Sequence, residues 1–181
     1  MDLRRRTVAL LGLQPGETVL DVACGTGLSF ELLAGAVGAQ GRVIGVELSP
    51  EMAAQARRRI DARGWGRVEL IEAPMESAHI DAPLDAVLFN YTHDVLRSPA
   101  ALDNIFRHLR PGARIALAGI KHPPWWLFPA RLWRLLKARP YVTTFEGLDR
   151  PWSLVAQRVR GLEVTPVMFG TNYIAHGRWT P

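Results

Sequence analysis

Apolar positions along the chain fall into two alternating patterns. Short runs of continuous apolar character are followed by stretches in which apolar residues recur every three to four positions. The first pattern is that of strands covered on both faces, the second that of amphipathic helices. Residues 4–13 read as a short helix ending near Gly12, and Gln14-Pro15-Gly16-Glu17 as a turn. Strands are expected over 18–24, 42–48, 68–73, 84–90 and 114–120. Helices are expected over 28–37, from Pro50 to about Gly64, and over 100–109. Ser49-Pro50-Glu51 and Ser98-Pro99 place serine at the N-cap and proline at the first helical position. Arg110-Pro111-Gly112 reads as the stop before the fifth strand.

Five strands alternating with helices imply an α/β fold with a parallel sheet and right-handed crossovers. After residue 120 the character changes. Pro123-Pro124-Trp125-Trp126 leads into a helical stretch over 127–138, residues 141–150 look irregular, and 151–160 suits a short helix. Residues 162–169 and 172–176 read as two strands joined by Gly170-Thr171, a hairpin that adds an antiparallel strand at the far edge of the sheet. The expected organisation is one domain over 1–181: a short helix and turn (1–17), an α/β core (18–120), and an aromatic-rich segment with the hairpin (121–181).

The chain has 181 residues, 48% hydrophobic and 22% charged, which suits a single domain with a sizeable core. Its net charge of +5 comes from scattered arginines. Arg57-Arg58-Arg59 lies on a helix whose apolar stripe is Met52, Ala53, Ala56 and Ile60, so those arginines fall on the solvated side. Arginines so spread do not point to nucleic acid. A single cysteine, Cys24, excludes an intrachain disulfide and agrees with a cytoplasmic setting. No run of about 18 apolar residues suggests a membrane span, and no spaced cysteine–histidine set suggests a metal.

The chemistry gathers at strand ends. Val19-Leu20-Asp21-Val22-Ala23-Cys24-Gly25-Thr26-Gly27 is a strand leading into a glycine turn, with a helix following. Gly25 and Gly27 allow close backbone approach to a ligand. Position 30, where a dinucleotide fingerprint has its third glycine, is Phe30, and Asp21 would repel a diphosphate while favouring a cation. Both features count against a nicotinamide-dependent oxidoreductase. Glu47, about 20 residues past the glycines, is placed to hydrogen-bond ribose hydroxyls. Asn90-Tyr91-Thr92-His93-Asp94 follows the fourth strand. Among these His93 is the candidate general base, because imidazole titrates near neutrality. Asp94 would orient it or cap the next helix.

The run from Val19 to Gly27, with Glu47 following, resembles the class I S-adenosylmethionine-dependent methyltransferases. Within them the chain is similar to the small-molecule enzymes related to quinone biosynthesis, a likeness extended by Arg107-His108-Leu109-Arg110-Pro111-Gly112-Ala113-Arg114. The resemblance implies a Rossmann-like three-layer sandwich, a seven-stranded sheet with the hairpin strand inserted antiparallel, and S-adenosyl-L-methionine as cofactor. It implies that Asp21, Ala23, Gly25 and Gly27 line the methionine part, with Thr26 and Leu28 alongside, and that Glu47 holds the ribose with Leu48 and Met52 beside the adenine. Where the family commonly has an acidic residue after the third strand, this chain has Ala73-Pro74-Met75-Glu76. Pro74 and Met75 are then expected to meet the adenine by packing and backbone atoms, with Glu76 as an alternative acceptor. Asn90 and Tyr91 would line the donor side, and Tyr91 and His93 the reacting side.

The expected partner is a small, partly apolar acceptor. The loop lacks Asn-Pro-Pro-Tyr, which disfavours DNA-adenine methylation, and the scattered arginines disfavour an RNA substrate. Trp125, Trp126, Phe128 and Trp133, with Arg131, Arg134 and Lys137 among them, suit core packing, an acceptor pocket or peripheral membrane contact. His122 is a second candidate on the acceptor side. The short N-terminal helix makes a thin lid, which suits a homodimer partner completing the site, or else a cofactor-binding relative without catalysis or acting as a partner subunit.

Overall fold

The structure, a computed structural model, describes residues 2–122 and 147–181. The aromatic segment 123–146, with the expected helix over 127–138, lies outside them. The described elements are α1 (Leu3–Leu10), β1 (Thr18–Val22), α2 (Phe30–Val37), β2 (Arg42–Glu47), α3 (Pro50–Arg63), β3 (Val68–Glu72) and β4 (Leu84–Asn90). They continue with α4 (His93–Leu96), α5 (Pro99–Phe106), β5 (Leu109–Ile120), α6 (Ser153–Ala156), β6 (Glu163–Val167) and β7 (Asn172–Arg178).

The seven strands form one sheet in the order β3-β2-β1-β4-β5-β7-β6. β1 to β5 pair in parallel. β7 runs antiparallel to both β5 and β6, so it is inserted inside the sheet and β6 forms the edge. The expected hairpin is present, and β7 is inserted antiparallel as the family resemblance implies. Pro166 on the outer strand removes an N–H that an incoming strand would need.

Alternate residues of each central strand feed two separate cores, as a period of two demands. Leu20, Val22, Ile44, Val46, Val87, Phe89, Ile115 and Leu117 join one cluster with α5 residues Leu102 and Ile105. Val19, Val43, Ala86, Leu88 and Ala116 join the other, with Val8 of α1, Phe30 and Leu33 of α2, and Ala56 of α3. The sheet is thus covered on both faces, a three-layer α/β sandwich.

Several boundaries differ from the sequence reading, each for a local reason. β1 stops at Val22, two residues early, because Ala23 turns into the left-handed region at φ 46°. α2 starts at Phe30 rather than at residue 28, since the turn through Gly25 and Gly27 (φ 59° and 74°) occupies the residues before it. α3 follows its caps closely: the Ser49 hydroxyl accepts from Met52 N–H, and Gly64 ends the helix at φ 62°. α5 ends at Phe106, short of the expected 109. Arg110-Pro111-Gly112 is no free turn but a bulged start to β5. Leu109 pairs with Leu84, Gly112 N–H donates to Trp179 O, and Trp179 N–H donates back to Ala113 O, both at 2.8 Å. The short helix near 151–160 shrinks to the four residues of α6.

The region below the glycine turn is tightly packed. Phe30, fully buried, pushes its ring between the turn and β2. A Cβ on Gly45 would lie 2.6 Å from the Phe30 ring and 2.9 Å from Cys24 Sγ. Gly45→Ala is therefore expected to destabilise the protein by about 2 kcal/mol, which thermal denaturation would read as a Tm lower by roughly 4–8 °C.

Candidate functional site

All five parallel strands bring their carboxyl ends to one rim of the sheet, where open α/β folds bind ligands. Two cavities open there. One, of about 350 Å³, is lined by Arg4, Asp21, Ala23, Cys24, Gly25, Thr26, Leu28, Ser29, Glu47, Met52, Asn90 and Tyr91. The other, of about 410 Å³, takes its walls from Leu48, Ala73, Pro74, Met75, Glu76, Thr92, His93 and Asp94 among others. Ala23, Glu47 and Tyr91 line both. Of the described residues singled out for the site from sequence, all but Gly27 and His122 lie on one or both of these walls.

Gly27 is required by packing. A Cβ there would meet the Phe30 ring at 2.6 Å and Ala56 Cβ at 3.4 Å. Gly25 is the glycine that faces open space: the nearest atom to a Cβ would be Met52 Sδ at 4.0 Å. Leu28 and Met52 are about half exposed at the cavity mouth (49% and 47%), so Met52 leaves the apolar core stripe to which its spacing assigned it. Met75 does the reverse. It sinks into the core beneath the larger cavity, while Pro74 and the exposed Glu76 share that wall.

Glu47 is held in place by backbone. Gly25 N–H donates to its Oε2 at 2.8 Å and Ser49 N–H to its Oε1 at 2.9 Å. One carboxylate thereby ties the glycine turn to the cap of α3. It keeps further lone pairs for a ligand, since an ionised carboxylate has about four acceptor sites. The other side of the turn is fixed by Arg59, whose Nε donates to Thr26 O at 3.1 Å.

Asp21 is 1% exposed, and among the described residues its Oδ2 has no hydrogen-bond partner. Burial pushes its pKa up to about 7, against the pull of Arg4 and a hydrogen bond from Ser29, with Glu47 adding a smaller upward push. Such a carboxylate is costly in isolation and is stabilised by a cation placed against it. Cys24 is shielded differently. Burial, with Asp21 and Glu47 near it, pushes its thiol far above the usual range, so it has no thiolate to offer as a nucleophile.

The strand-four end carries backbone strain. Tyr91 sits at φ 63°, uncommon for a bulky residue. Its N–H donates to Ala118 O at 2.8 Å, and Asn172 Nδ2 of β7 donates to its phenol oxygen at 3.1 Å. Asn90 Oδ1 and Thr92 Oγ1 are buried without hydrogen-bond partners among the described residues. His93 and Asp94 belong to the first turn of α4, not to a loop, and Thr92 rather than Asp94 occupies the N-cap position. His122 lines neither cavity; its N–H donates to Leu148 O at 3.0 Å.

Three residues escaped the sequence reading. Arg4 reaches the smaller cavity from α1. Asn172 supports Tyr91 from the hairpin. Asn104, buried in α5, donates from Nδ2 to Met75 O and Ala78 O at 2.8 and 2.9 Å and so pins the wall of the larger cavity. Its signal was present: Asn104 interrupts the apolar residues of α5 between Leu102 and Ile105. No group of three or more His, Cys, Asp or Glu side chains suited to a metal occurs among the described residues.

Residues 19–112 match the family model of the methyltransferase domain. The chain belongs to this family, of the class I S-adenosylmethionine-dependent type. It is 31% identical over 122 residues to a demethylmenaquinone methyltransferase of Bacillus cereus, covering 66% of this chain and 52% of that protein. It is 32% identical over 117 residues to an arsenite methyltransferase of Halobacterium salinarum, covering 62% of this chain and 29% of that protein. The chain thus spans about half or less of the length of these relatives. A solved S-adenosylmethionine-dependent methyltransferase from Aquifex aeolicus superposes with a TM-score of 0.71 at 22% identity, over 98% of this chain and 90% of that one, which supports the same fold. Among the described residues no helix is long and apolar enough to cross a membrane.

S-adenosylmethionine is the cofactor of this class, and the residues present fit it. An unpartnered buried carboxylate suits its cationic methionine end, and Glu47, spanning both cavities, suits its ribose. The empty site bears a cost for that fit. Between pH 3.8 and 7 the folded protein keeps a proton on Asp21 that the unfolded chain has released, so stability falls as pH rises through this window and levels off above it. Asp21→Asn removes the charge. The ligand-free variant is expected to gain Tm relative to the parent as pH goes from 4 to 7, with a constant difference above pH 7, by calorimetry at several pH values.

Proposed function

We propose that the protein transfers the methyl group of S-adenosylmethionine to an oxygen, nitrogen or carbon atom of a small, partly apolar acceptor. The observation that carries this reading is the pairing of Asp21 and Glu47 at adjacent strand ends, around cavities wide enough for an adenosyl ligand. Bound there, the cofactor supplies a methyl carbon activated by its sulfonium. Asp21 meets the ammonium of the methionine end. Gly25 gives the backbone clearance, with Thr26 and Leu28 closing the mouth and Ala23 at the junction. Glu47 accepts from the ribose hydroxyls, and Leu48 and Met52, both substantially exposed, flank the nucleoside. Pro74 and Met75 supply the opposite wall.

In this reading Tyr91 and His93, which line the larger cavity, meet the acceptor. Tyr91 presents half its surface to the rim, and its phenol oxygen is fixed by Asn172. His93 accepts the proton of the acceptor atom as that atom attacks. The chain's main contribution is alignment of nucleophile, methyl and leaving sulfur, which accounts for about 7–11 kcal/mol in well-oriented reactions. The exposed apolar residues Tyr91, Met168 and Phe169 favour an acceptor with an apolar part. The relatives named for demethylmenaquinone and arsenite accord with small-molecule acceptors.

Titration calorimetry with S-adenosylhomocysteine tests the donor site. Binding is expected to be measurable at pH 8, and absence of heat at about millimolar ligand would refute the reading. Because the ammonium calls for an ionised Asp21, affinity is expected to drop about tenfold per pH unit below pH 7 and to be flat above it. Glu47→Gln is expected to weaken binding by about tenfold or more. For the acceptor side, labelled-methyl transfer to a panel of phenols, hydroquinones and amines should yield a substrate. With that substrate, His93→Gln is expected to lower kcat by roughly 10²-fold while leaving S-adenosylhomocysteine affinity within about twofold.

A further inference from the structure

We propose that Met168 and Phe169, at the apex of the β6–β7 hairpin, form a docking prong that enters the interface of an anionic lipid bilayer. The proposal goes beyond the reading above, in which these side chains favour an apolar acceptor, and its test needs neither donor nor acceptor.

Phe169 is 85% exposed and Met168 62%. Apolar residues scattered singly over a surface are ordinary, but two adjacent ones at an apex call for a cause. Their backbone sharpens the point. Met168 and Phe169 lie at φ 51° and 57°, followed by Gly170 at 77°. Asparagine and glycine suit such left-handed positions, whereas bulky side chains are strained there. Neither side chain offsets the strain by packing, because both face solvent. The apex is also closed on itself. Gly170 N–H donates to Val167 O at 3.0 Å, and Met168 O accepts from Thr171 N–H at 3.2 Å and from Thr171 Oγ1 at 2.8 Å. Lys121 N–H donates to Thr171 O at 3.0 Å. Carbonyls satisfied within the chain let a segment leave water at low cost.

The surroundings indicate what the prong meets. Asn172 pairs with Ile120, so the apex stands at the carboxyl end of β5. Leu28, Leu48, Met52 and Tyr91 are exposed on the same rim, and of the exposed large apolar side chains among the described residues only Leu10 lies elsewhere. Positive charge accompanies them. No acidic residue occurs from Val164 to Pro181, and Lys121 is tied to the base of the apex. His122 N–H donates to Leu148 O at 3.0 Å, so the sequence between these two residues is attached at this rim. It adds Arg131, Arg134, Lys137 and Arg139 against one acid, Glu146, and Asp149 and Arg150 beyond it cancel. A protein partner needs a broad buried area, which an apex of two residues does not offer. A bilayer holds an apolar tip backed by cations through two forces, burial of the tip and attraction to anionic headgroups. Docked in this way, the rim on which both cavities open turns toward the lipid.

The test is co-sedimentation of the full chain with vesicles of phosphatidylcholine and phosphatidylglycerol in equal parts, and with vesicles of phosphatidylcholine alone. The parent is expected to bind the mixed vesicles, to bind the neutral ones more weakly, and to lose part of its binding to the mixed vesicles as salt is raised. The double variant Met168→Asn, Phe169→Gly removes the apolar tip and supplies the residues a left-handed turn prefers. It is expected to lose about tenfold or more in vesicle partitioning, with a Tm no lower than that of the parent. Phe169→Leu keeps an apolar tip and is expected to stay within about threefold of the parent. The proposal is overturned if the parent fails to bind the mixed vesicles. It is overturned equally if the double variant binds them as well as the parent does, which would assign the binding to another part of the chain. Sedimentation velocity without lipid separates the remaining occupant: a dimer of the parent that the double variant abolishes, with vesicle binding unchanged, would give the apex to a second copy and overturn the proposal.

Discussion

A buried carboxylate without a full set of partners governs the arrangement of this protein. Asp21 sits at the end of β1 among residues that are otherwise apolar, and the sheet gives it no way to reach water. What relieves it must come from the cavity. The turn after β1, the reach of α1 and the tethering of Glu47 all shape the cavity that Asp21 lines. Holding the ionised form of Asp21 there costs the fold stability.

Glu47 meets the opposite problem. Both of its oxygens are already engaged by backbone N–H groups, so its charge is oriented before any ligand arrives. The two acidic residues divide the work between them. Asp21 supplies unsatisfied charge, and Glu47 supplies a rigid link between the glycine turn and α3. Tyr91 adds a third kind of constraint, a strained backbone stabilised by contacts to β5 and β7.

The order of strands and helices through residue 120 was legible in the pattern of apolar positions, because every central strand is covered on both faces. The serine–proline starts at Ser49 and Ser98 were legible as well, since those caps act within one turn of chain. Boundaries decided by pairing at a distance were not. The bulged start of β5 depends on Trp179, far along the chain, and the insertion of β7 was carried by the family resemblance, not by the apolar pattern. The same division runs through the site. Asp21, Gly25 and Glu47 could be picked out because the motif is local. Arg4, Asn104 and Asn172 act across the fold, and the packing demand of the Phe30 ring on Gly27 shows only once the two are brought together.

That ring bears on what this scaffold can become. Phe30 fills the space shared by Gly27 and Gly45, so exchanging it for the glycine of a pyrophosphate-binding turn would open a void in the core rather than a phosphate cradle. Conversion to a dinucleotide enzyme would need the turn, β2 and α2 to be rebuilt together. The character of the turn is thereby locked in by shape, some distance beneath the rim where the cavities open.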